Sequence, residues 1–383
     1  MAAPRTINVT FSPIPHVPPL YTPLNDAYVG SVHAPLSRRV RFTWNPGGVP
    51  LGGPLTYDLQ YSTDPGFAAN VTTVPGLTDT TFQVSADLPV STLPPVGQRY
   101  YWRVRSCTTV LCSAYSPYYS VNVGRSDSDL DGDGYSELVV AAPKSDIGGI
   151  DNGKVYVYRG SPTGLSLAAS IVGAPREELA TSLVTGDFNG DGFGDLVVGA
   201  KNNGETAEWA GKVSVYNGAA TLDVVPDLMI YGAWTELLGT GLAVGDVNSD
   251  GFDDLVVQSL AEVKLYHGAA AMDGIADRVY TGSFGPQPAV GDITGDGYPD
   301  LLMPANGSYM VFRGGSGSLS PVADAAALPC EFAATVGDIG GDGAVDVVCR
   351  RVDAGSGVAT PVLLMFGYQQ SLPEVALGIP LGT

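Results

Sequence analysis

Basic residues are scarce in this chain of 383 residues: Lys and Arg total 19, against 39 Asp and Glu, so the formal net charge is −20. That charge would repel a nucleic acid or an anionic membrane surface, whereas it would attract cations. Long apolar runs are also missing, because no stretch approaches the roughly 20 residues that cross a bilayer as a helix. The sequence therefore predicts neither a nucleic-acid partner nor a membrane span.

Histidine and the signatures of catalysis are equally rare. The three histidines, His16, His33 and His267, lack the spacing of zinc ligands. The sequence contains no GxSxG elbow, Walker loop or dinucleotide fingerprint. Residues 1–10 also lack the apolar segment of a signal peptide. We therefore expect a protein that is not an enzyme, and a chain that is a mature fragment.

Four cysteines are too few for a disulfide scaffold. Cys107 and Cys112 flank a short turn between two strand-like runs, where a cross-hairpin disulfide is geometrically easy. Cys330 and Cys349 flank one Asp-rich loop and are a second candidate pair, although the expected register does not place them directly opposite each other. Free, buried thiols are the alternative for both pairs.

Gly and Pro, by contrast, are abundant, at 50 and 29 residues, and no long charged amphipathic stripe is visible. This composition favours short strands joined by turns, so we expect an all-β protein. The length predicts two or three domains. We place a Pro-rich extended arm at 1–29, a β-sandwich at 30–124 and a repeat domain at 125–383.

The sandwich prediction depends on apolar residues that alternate along short runs. One such face carries Val40, Phe42 and Trp44. The segment resembles a fibronectin type III domain in its late-strand pattern, although Ser106 stands where the family has a small apolar residue. The matching residues are Leu93, Pro94, Gly97, Tyr100 and Val104. The resemblance implies two antiparallel sheets, with Tyr100 as the tyrosine corner.

From residue 125 onward, one unit recurs five times, and we number the copies loop one to loop five. The copies are DLDGDGYSE from Asp129, DFNGDGFGD from Asp187, DVNSDGFDD from Asp246, DITGDGYPD from Asp292 and DIGGDGAVD from Asp338. Every copy has carboxylates at positions 1, 5 and 9 and Gly at position 6. Apolar runs follow every loop and precede all but the first, so each later loop is expected to join two strands.

This spacing indicates calcium, which takes about six to eight oxygen ligands from alternate residues of a tight loop, including the backbone carbonyl at position 7. Asp and Gly also favour simple hairpin turns. No turn, however, needs several adjacent carboxylates, which repel one another without a cation. The predicted ligands are Asp129, Asp131, Asp133, Tyr135, Glu137, Asp187, Asn189, Asp191, Phe193, Asp195, Asp246, Asn248, Asp250, Phe252, Asp254, Asp292, Thr294, Asp296, Tyr298, Asp300, Asp338, Asp342, Ala344 and Asp346.

The loops differ at position 3. Loop one has a fourth carboxylate there, Asp131, and loops two and three have Asn189 and Asn248. Thr294 of loop four is a weaker donor, and Gly340 of loop five has no side-chain oxygen. We therefore expect about four to five Ca²⁺ ions, with loop five the weakest site.

The repeats resemble FG-GAP repeats, the blades of integrin α-chain propellers. The residues that carry this resemblance are the Asp-rich loops with DLVVGA at 195–200, ELVVAAP at 137–143, Leu238-Gly239 and Phe284-Gly285. Further strand-like runs, such as GKVYVYRG and GKVSVYNG, bring each unit to about four strands. The predicted fold is therefore a fibronectin type III-like sandwich followed by a β-propeller of four-stranded blades. The resemblance implies calcium between the first and second strands of a blade.

Two features depart from the family pattern. The family's rings usually have more blades than the five copies visible here, and GRSDS directly precedes loop one, where an inner strand is expected. The tail EVALGIPLG closing a five-bladed ring is one interpretation, and an excerpt of a longer protein is another. The third is a strand donated by a partner chain, which would allow self-assembly through the incomplete first blade.

The integrin-like resemblance implies ligand recognition on the face opposite the calcium loops. That face is expected to carry Arg176, Lys201, Asn203, Trp209, Trp234 and Arg350. A loop Trp often anchors an interface, although packing as a blade cap is the alternative. We expect an extracellular or cell-surface adhesion or protein-interaction module with a protein or glycan ligand. A lectin-like propeller and a structural subunit of a filament are the alternatives.

Overall fold

The structure is a computed structural model that describes residues 14–34, 36–48, 54–282, 287–305, 308–323, 332–335, 338, 344–352 and 359–364. All regular elements among these residues are β-strands, so the predicted all-β class is confirmed. No helix within the described ranges is long and apolar enough to cross a membrane.

The chain divides into two compact units. Unit 1 comprises Met1–Ala27, Arg39–Ala86 and Tyr100–Val121, and unit 2 comprises Tyr28–Arg38, Asp87–Arg99 and Asn122–Thr383. Three segments of the predicted sandwich, 30–38, 87–99 and 122–124, thus belong to the same unit as the repeats, as do residues 28 and 29 of the predicted arm. The predicted domain boundaries stay predictions.

Unit 1 is built from two antiparallel sheets. The first has the order β1 (Leu20–Thr22), β3 (Arg41–Trp44), β6 (Thr81–Gln83). The second, most of whose residues lie in unit 1, has the order β2 (Ala27–Val29), β8 (Tyr119–Val123), β7 (Gln98–Cys107), β4 (Thr56–Ser62), β5 (Thr72–Leu77). Alternation places aromatic side chains between them: the ring centroids of Phe42 and Trp102 lie 5.1 Å apart, and those of Trp44 and Tyr57 5.5 Å apart.

Two features of unit 1 bear on the predictions. The structure contains a disulfide between Cys107 and Cys112, whereas Cys330 and the side chain of Cys349 lie outside the described residues. Residues 20–22, predicted as extended arm, form β1 because Leu20 is buried and the Thr22 N–H donates to Thr43 Oγ1 at 3.1 Å.

Unit 2 contains a series of antiparallel sheets, here called sheets A to E. Sheet A comprises β9 (Leu138–Ala142), β10 (Lys154–Arg159) and β11 (Ser166–Val172). Sheet B comprises β12 (Leu179–Gly186), β13 (Asp195–Ala200), β14 (Lys212–Tyr216) and β15 (Leu228–Tyr231). Sheet C comprises β16 (Gly241–Gly245), β17 (Asp254–Gln258), β18 (Glu262–Tyr266) and β19 (Arg278–Thr281). Sheet D comprises β20 (Ala289–Gly291), β21 (Asp300–Ala305) and β22 (Ser308–Phe312). Sheet E comprises β23 (Phe332–Thr335), β24 (Val347–Val352) and β25 (Ala359–Leu364).

The continuous apolar runs after the loops reflect burial on both faces of a strand. In β13, Leu196 and Val198 belong to a buried cluster with Val155 of sheet A, whereas Val197 belongs to a cluster with Leu255 of sheet C. The first strands of successive sheets also touch: β9 contacts β12, β12 contacts β16, β16 contacts β20, and β20 contacts β23. Neighbouring sheets therefore share their cores.

The number of strands agrees with the prediction in part. Sheets B and C have four strands each in sequential order, whereas sheets A, D and E have three described strands. Sheet A begins after loop one, at Leu138, so its first described strand corresponds to the second strand of sheets B and C. The Asp-rich repeats thus join the first two strands of sheets B to E and precede the first strand of sheet A.

Candidate metal centres

Loops one to four each begin with an Asp whose carboxylate closes the turn. The Oδ2 of Asp129, Asp187, Asp246 and Asp292 accepts the N–H of the position-6 Gly at 2.8, 3.0, 3.0 and 2.8 Å. These Gly residues have φ between 89° and 95°, a conformation that L side chains rarely adopt. The other oxygens of Asp129 and Asp187 are buried without a hydrogen-bond partner among the described residues.

In loops one to four, the carboxylate at position 9 is held by two backbone N–H groups. One oxygen of Glu137, Asp195 and Asp254 accepts the N–H of position 2 at 2.6, 2.9 and 2.9 Å, and that of Asp300 accepts the Thr294 N–H at 2.8 Å. The second oxygen accepts the N–H of a Gly that lies shortly after the second strand following the loop. These Gly residues are Gly160, Gly218, Gly268 and Gly314, at 3.4, 2.8, 3.0 and 3.0 Å.

Positions 3 and 5 complete the same pattern. The carboxylates of Asp133, Asp191, Asp250 and Asp296 accept the N–H of position 7 at 2.9 to 3.1 Å. The amides of Asn189 and Asn248 each donate to the position-5 carboxylate at 2.9 Å. In loops two and three these bonds link position 3 to position 5 and position 5 to position 7, and the assignment of the loop residues as metal ligands stays a prediction.

Burial makes these carboxyl groups unfavourable as isolated anions. It raises the pKa of Asp195 to about 8, that of Asp187, Asp246 and Glu137 to about 7, and that of Asp300 to about 6, with repulsion between neighbouring carboxylates adding to the effect. A bound cation would reverse this shift because it stabilises the ionised form. A hard cation fits these loops, because one oxygen each of Asp129 and Asp187 is buried without a hydrogen-bond partner among the described residues. The predicted ligands of loop two are also all oxygens, which such a cation prefers.

Loops one and three have neighbours that the spacing does not reveal. In loop one, ligand atoms of Asp129, Asp131 and Glu137 lie within 4.8 Å of one another, and the Arg159 guanidinium forms an ion pair with Asp131. In loop three, His267 Nδ1 lies 3.0 Å from Asp254 Oδ1. Arg159 ends the second strand after loop one, and His267 directly follows the second strand after loop three. Each approaches its loop only because that strand pairs with the strand that the loop leads into.

Loop five is described only in part. Asp338 is half-buried, and Ala344 and Asp346 are buried. Asp342 lies outside the described residues, so the prediction of a weak fifth site stays a prediction.

Part of the predicted ligand face surrounds one open cleft in unit 2, with a volume of about 660 Å³. Its lining includes Arg176, Asn203 and Trp209, and the Trp209 side chain is 57% exposed. Lys201 instead pairs with Glu178 at 2.9 Å. Trp234 is 70% exposed and outside the cleft lining, and the side chain of Arg350 lies outside the described residues.

One wall of this cleft contains a turn, and a second copy of that turn occurs later in unit 2. Glu177 is buried and accepts the Lys212 ammonium at 2.6 Å, and Glu236 accepts the Lys264 ammonium at 2.5 Å. Each Glu also receives an N–H from the Ala three residues before it, at 2.6 Å. The signal in the sequence is the recurrence of Gly-Ala-x-x-Glu-x-Leu at 173–179 and 232–238.

Comparison with known proteins agrees with the repeat pattern. Residues 129–198, 246–303 and 292–349 match the FG-GAP-like repeat. Over 182 residues, or 44% of this chain and 21% of the relative, the chain is 34% identical to phosphatidylinositol-glycan-specific phospholipase D from Bos taurus. Over 165 residues, or 40% of this chain and 13% of the relative, it is 31% identical to integrin alpha-7 from Mus musculus. The chain thus matches about a fifth or less of the length of these relatives.

Among solved structures, the exotype rhamnogalacturonan lyase YesX superposes on 90% of this chain and 67% of its own, with a TM-score of 0.42 and 12% identity. The rhamnogalacturonan lyase from Bacillus licheniformis superposes on 91% of this chain and 68% of its own, with a TM-score of 0.40 and 13% identity. The match between the Asp-rich loops and the repeat family is the informative result. The chain contains FG-GAP-like repeats, and integrin alpha and phosphatidylinositol-glycan-specific phospholipase D are among its homologues.

Proposed function

We propose that this chain is a calcium-binding adhesion or protein-interaction module that acts outside the cell or at its surface. The observation that carries the proposal is the repeated donor set of the loops, in which the position-1 carboxylate accepts the N–H of the position-6 Gly in each of loops one to four. Calcium supplies the positive charge that these carboxylates need. Its role here is structural, because it joins two strands of a sheet and stabilises the state that binds it.

The donor chemistry favours calcium over a transition metal. In loop two, the groups that would hold the ion are the side chains of Asp187, Asn189, Asp191 and Asp195 and the carbonyl of Phe193. All are oxygens, which hard cations prefer, and the set approaches the six to eight oxygens that Ca²⁺ takes. In loop one, a cation would compete with Arg159 for Asp131. We infer about four to five ions per chain, with loop five the weakest.

We also propose that sheets A to E are blades of a β-propeller and that unit 1 resembles a fibronectin type III sandwich. Contacts between the first strands of successive sheets support radial stacking, and the four-stranded sequential order of sheets B and C is that of a propeller blade. The sheet orders β1-β3-β6 and β2-β8-β7-β4-β5 support a two-sheet sandwich. The comparison with integrin alpha chains supports a role in adhesion at a cell surface.

Ligand recognition is proposed at the cleft beside Trp209, with a protein as the ligand. Buried contacts hold its walls in place: Asn203 donates to Glu177 at 2.9 Å, and Lys212 pairs with the same Glu. A rigid wall lowers the entropy lost on binding. The exposed indole among polar groups also favours a glycan as the second candidate ligand.

The metal proposal is tested by counting bound ions. The protein is dialysed to equilibrium against millimolar calcium, and the calcium held in excess of the buffer is measured by elemental analysis. We expect the wild-type protein and the control Asp273→Asn, whose Asp lies in an exposed turn outside the loops, to retain several ions each. Asp187→Asn should retain fewer. A wild-type protein that holds no calcium at millimolar concentration contradicts the proposal.

The ligand proposal is tested separately with Trp209→Ala and the control Trp234→Ala. Binding to cultured cells or to a broad glycan array should be lost in the first variant and kept in the second. Binding to the array would favour the glycan candidate. Adhesion that Trp209→Ala leaves unchanged would exclude the cleft.

A further inference from the structure

The loops of unit 2 are joined to one another by backbone hydrogen bonds. The N–H at position 8 of one loop donates to the position-1 carbonyl of the loop before it. Gly194 donates to Asp129 O at 3.0 Å, Asp253 donates to Asp187 O at 3.1 Å, and Val345 donates to Asp292 O at 2.6 Å. Position 1 supplies a proposed ligand and position 8 directly precedes one. Each bond therefore ties a ligand of one loop to a ligand of the next.

A second contact reinforces the links among loops one, two and three. The ring of Phe193 packs on Gly132, and the ring of Phe252 packs on Gly190. A Cβ atom on either Gly would lie 2.5 or 2.4 Å from the ring, so only Gly allows the contact. Position 7, which carries the ring, also supplies a proposed carbonyl ligand. The backbone of one proposed site is thus packed against the turn of the preceding site.

Between loops two and three, the bond is reciprocal. The Asp253 carboxylate accepts the Asp187 N–H at 2.8 Å, while the Asp253 N–H donates to the Asp187 carbonyl. Arg125 pairs with the same carboxylate at 3.7 Å, and both side chains are buried. A displacement of either loop would break this arrangement, so the two loops are expected to order together.

The series is interrupted between loops three and four. Position 8 of loop four is Pro299, which has no N–H to donate. Two backbone bonds from the segment after β22 remain: the Gly315 N–H lies 3.4 Å from Val247 O, and the Gly317 N–H donates to Asn248 O at 2.6 Å. The connection between loops three and four therefore lacks the direct bond from position 8 to position 1, and only the segment after β22 joins the two.

We propose that calcium loads loops one, two and three cooperatively as one group, and that Pro299 separates loop four from that group. The inference rests on the proposed function, since it requires that the loops bind cations. An ion that orders one loop also orders the backbone of the next, so the second ion loses less conformational entropy on binding. Coupling between sites commonly changes affinity about 5- to 150-fold. We expect about a tenfold effect for adjacent loops within the group.

The test is a calcium titration of the full chain by calorimetry, with two matched variants. Asp191→Asn and Asp296→Asn alter position 5 in loops two and four, where the side chain accepts the N–H of position 7 in each case. Asp191→Asn should weaken binding at the two other loops of its group about tenfold, in addition to its own ion. Asp296→Asn should leave the cooperative group intact.

A third variant tests the interruption itself. Pro299→Ala restores an N–H at position 8 of loop four, and we expect the cooperative group to gain further ions. Pro226→Ala, in a loop between β14 and β15, is the control for the removal of a proline and should leave the group unchanged. Because the expected result is an increase in the number of ions bound cooperatively, a variant that failed to fold could not produce it.

The outcomes separate the two proposals. If each Asp variant removes one ion and the remaining affinities stay the same, the coupling is overturned while calcium binding stands. If Pro299→Ala titrates like the wild-type protein, the role assigned to Pro299 is overturned. A wild-type chain that binds no calcium would overturn the proposed function together with this inference.

Discussion

Replacing Asp187 with Asn is expected to change the stability of the protein in opposite directions with and without calcium. Asp187 Oδ2 accepts the Gly192 N–H at 3.0 Å, a bond that the Asn oxygen can keep. The other oxygen is buried without a hydrogen-bond partner among the described residues. An amide NH₂ can replace it with little change in volume, so the substitution chiefly removes a negative charge.

Without calcium, this charge is costly. Burial raises the pKa of Asp187 to about 7 from 3.8. At pH 8 the group is ionised in both the folded and the unfolded chain, and the difference in pKa corresponds to about 4 kcal/mol of destabilisation. The neutral Asn avoids this cost. We therefore expect Asp187→Asn to raise the free energy of unfolding in chelator, by about 2 to 4 kcal/mol once relaxation is allowed for.

With calcium, the sign reverses because the variant lacks a charged ligand. An ion present at about 100 times its dissociation constant stabilises the folded state by about 2.7 kcal/mol, and most of this is lost when the affinity falls strongly. Denaturant unfolding at pH 8, in chelator and in millimolar calcium, measures both effects. Asp273→Asn should have little effect in either buffer. A shift of the same sign in both buffers would refute the assignment of Asp187 as a calcium ligand.

Three further predictions concern other groups. In chelator, stability should fall as the pH rises from about 4 to about 8, because burial raises the pKa of Asp195 to about 8 and of Asp246 to about 7 in the folded chain; a urea midpoint that rises over this range would contradict the shifts. Glu177→Gln should lower the free energy of unfolding by about 3 kcal/mol because it leaves the Lys212 ammonium without its buried partner. A change in the free energy of unfolding below about 0.5 kcal/mol would exclude this. Trp209→Ala should change thermal unfolding little, because the side chain is 57% exposed; a large loss of stability would favour a packing role.

The loop donors could be predicted from the sequence because they are local. Positions 1, 3, 5 and 9 lie within nine residues, so most of the backbone N–H groups that they meet lie in the same loop; the Gly N–H that the position-9 carboxylate accepts from beyond the following strands does not. The two-sided burial of β13 was likewise visible in the run DLVVGA at 195–200, since a strand between two neighbouring sheets has no polar face.

The sequence did not reveal the groups that reach the loops from a distance. Arg159 and His267 approach loops one and three only because the following strand pairs with the strand after the loop. His33 is 158 residues from Asp191, yet its Nε2 lies 2.8 Å from the Asp191 carbonyl oxygen, and its ring stacks on Phe193 at 3.9 Å. Contacts of such separation follow from the tertiary fold and leave no periodic signal.

The predicted ligand face shows the same limit. Arg176, Asn203 and Trp209 line one cleft. Trp234 stands where the first copy of the repeated turn has Pro175, and it lies outside the cleft lining. Glu177, which the prediction omitted, is the buried group that fixes the cleft wall through Lys212. A charged residue in a polar loop gives no sign in the sequence that it will be buried and paired.

The most direct test of the central claim is scanning calorimetry of the whole chain in excess chelator and in millimolar calcium at pH 7.5. If cations hold the repeat loops together, the transition of the repeat unit should shift to a markedly higher temperature in calcium, and the shift should grow with calcium concentration. Identical transitions in the two buffers would contradict the account, since the Asp-rich loops would then be turns that need no ion.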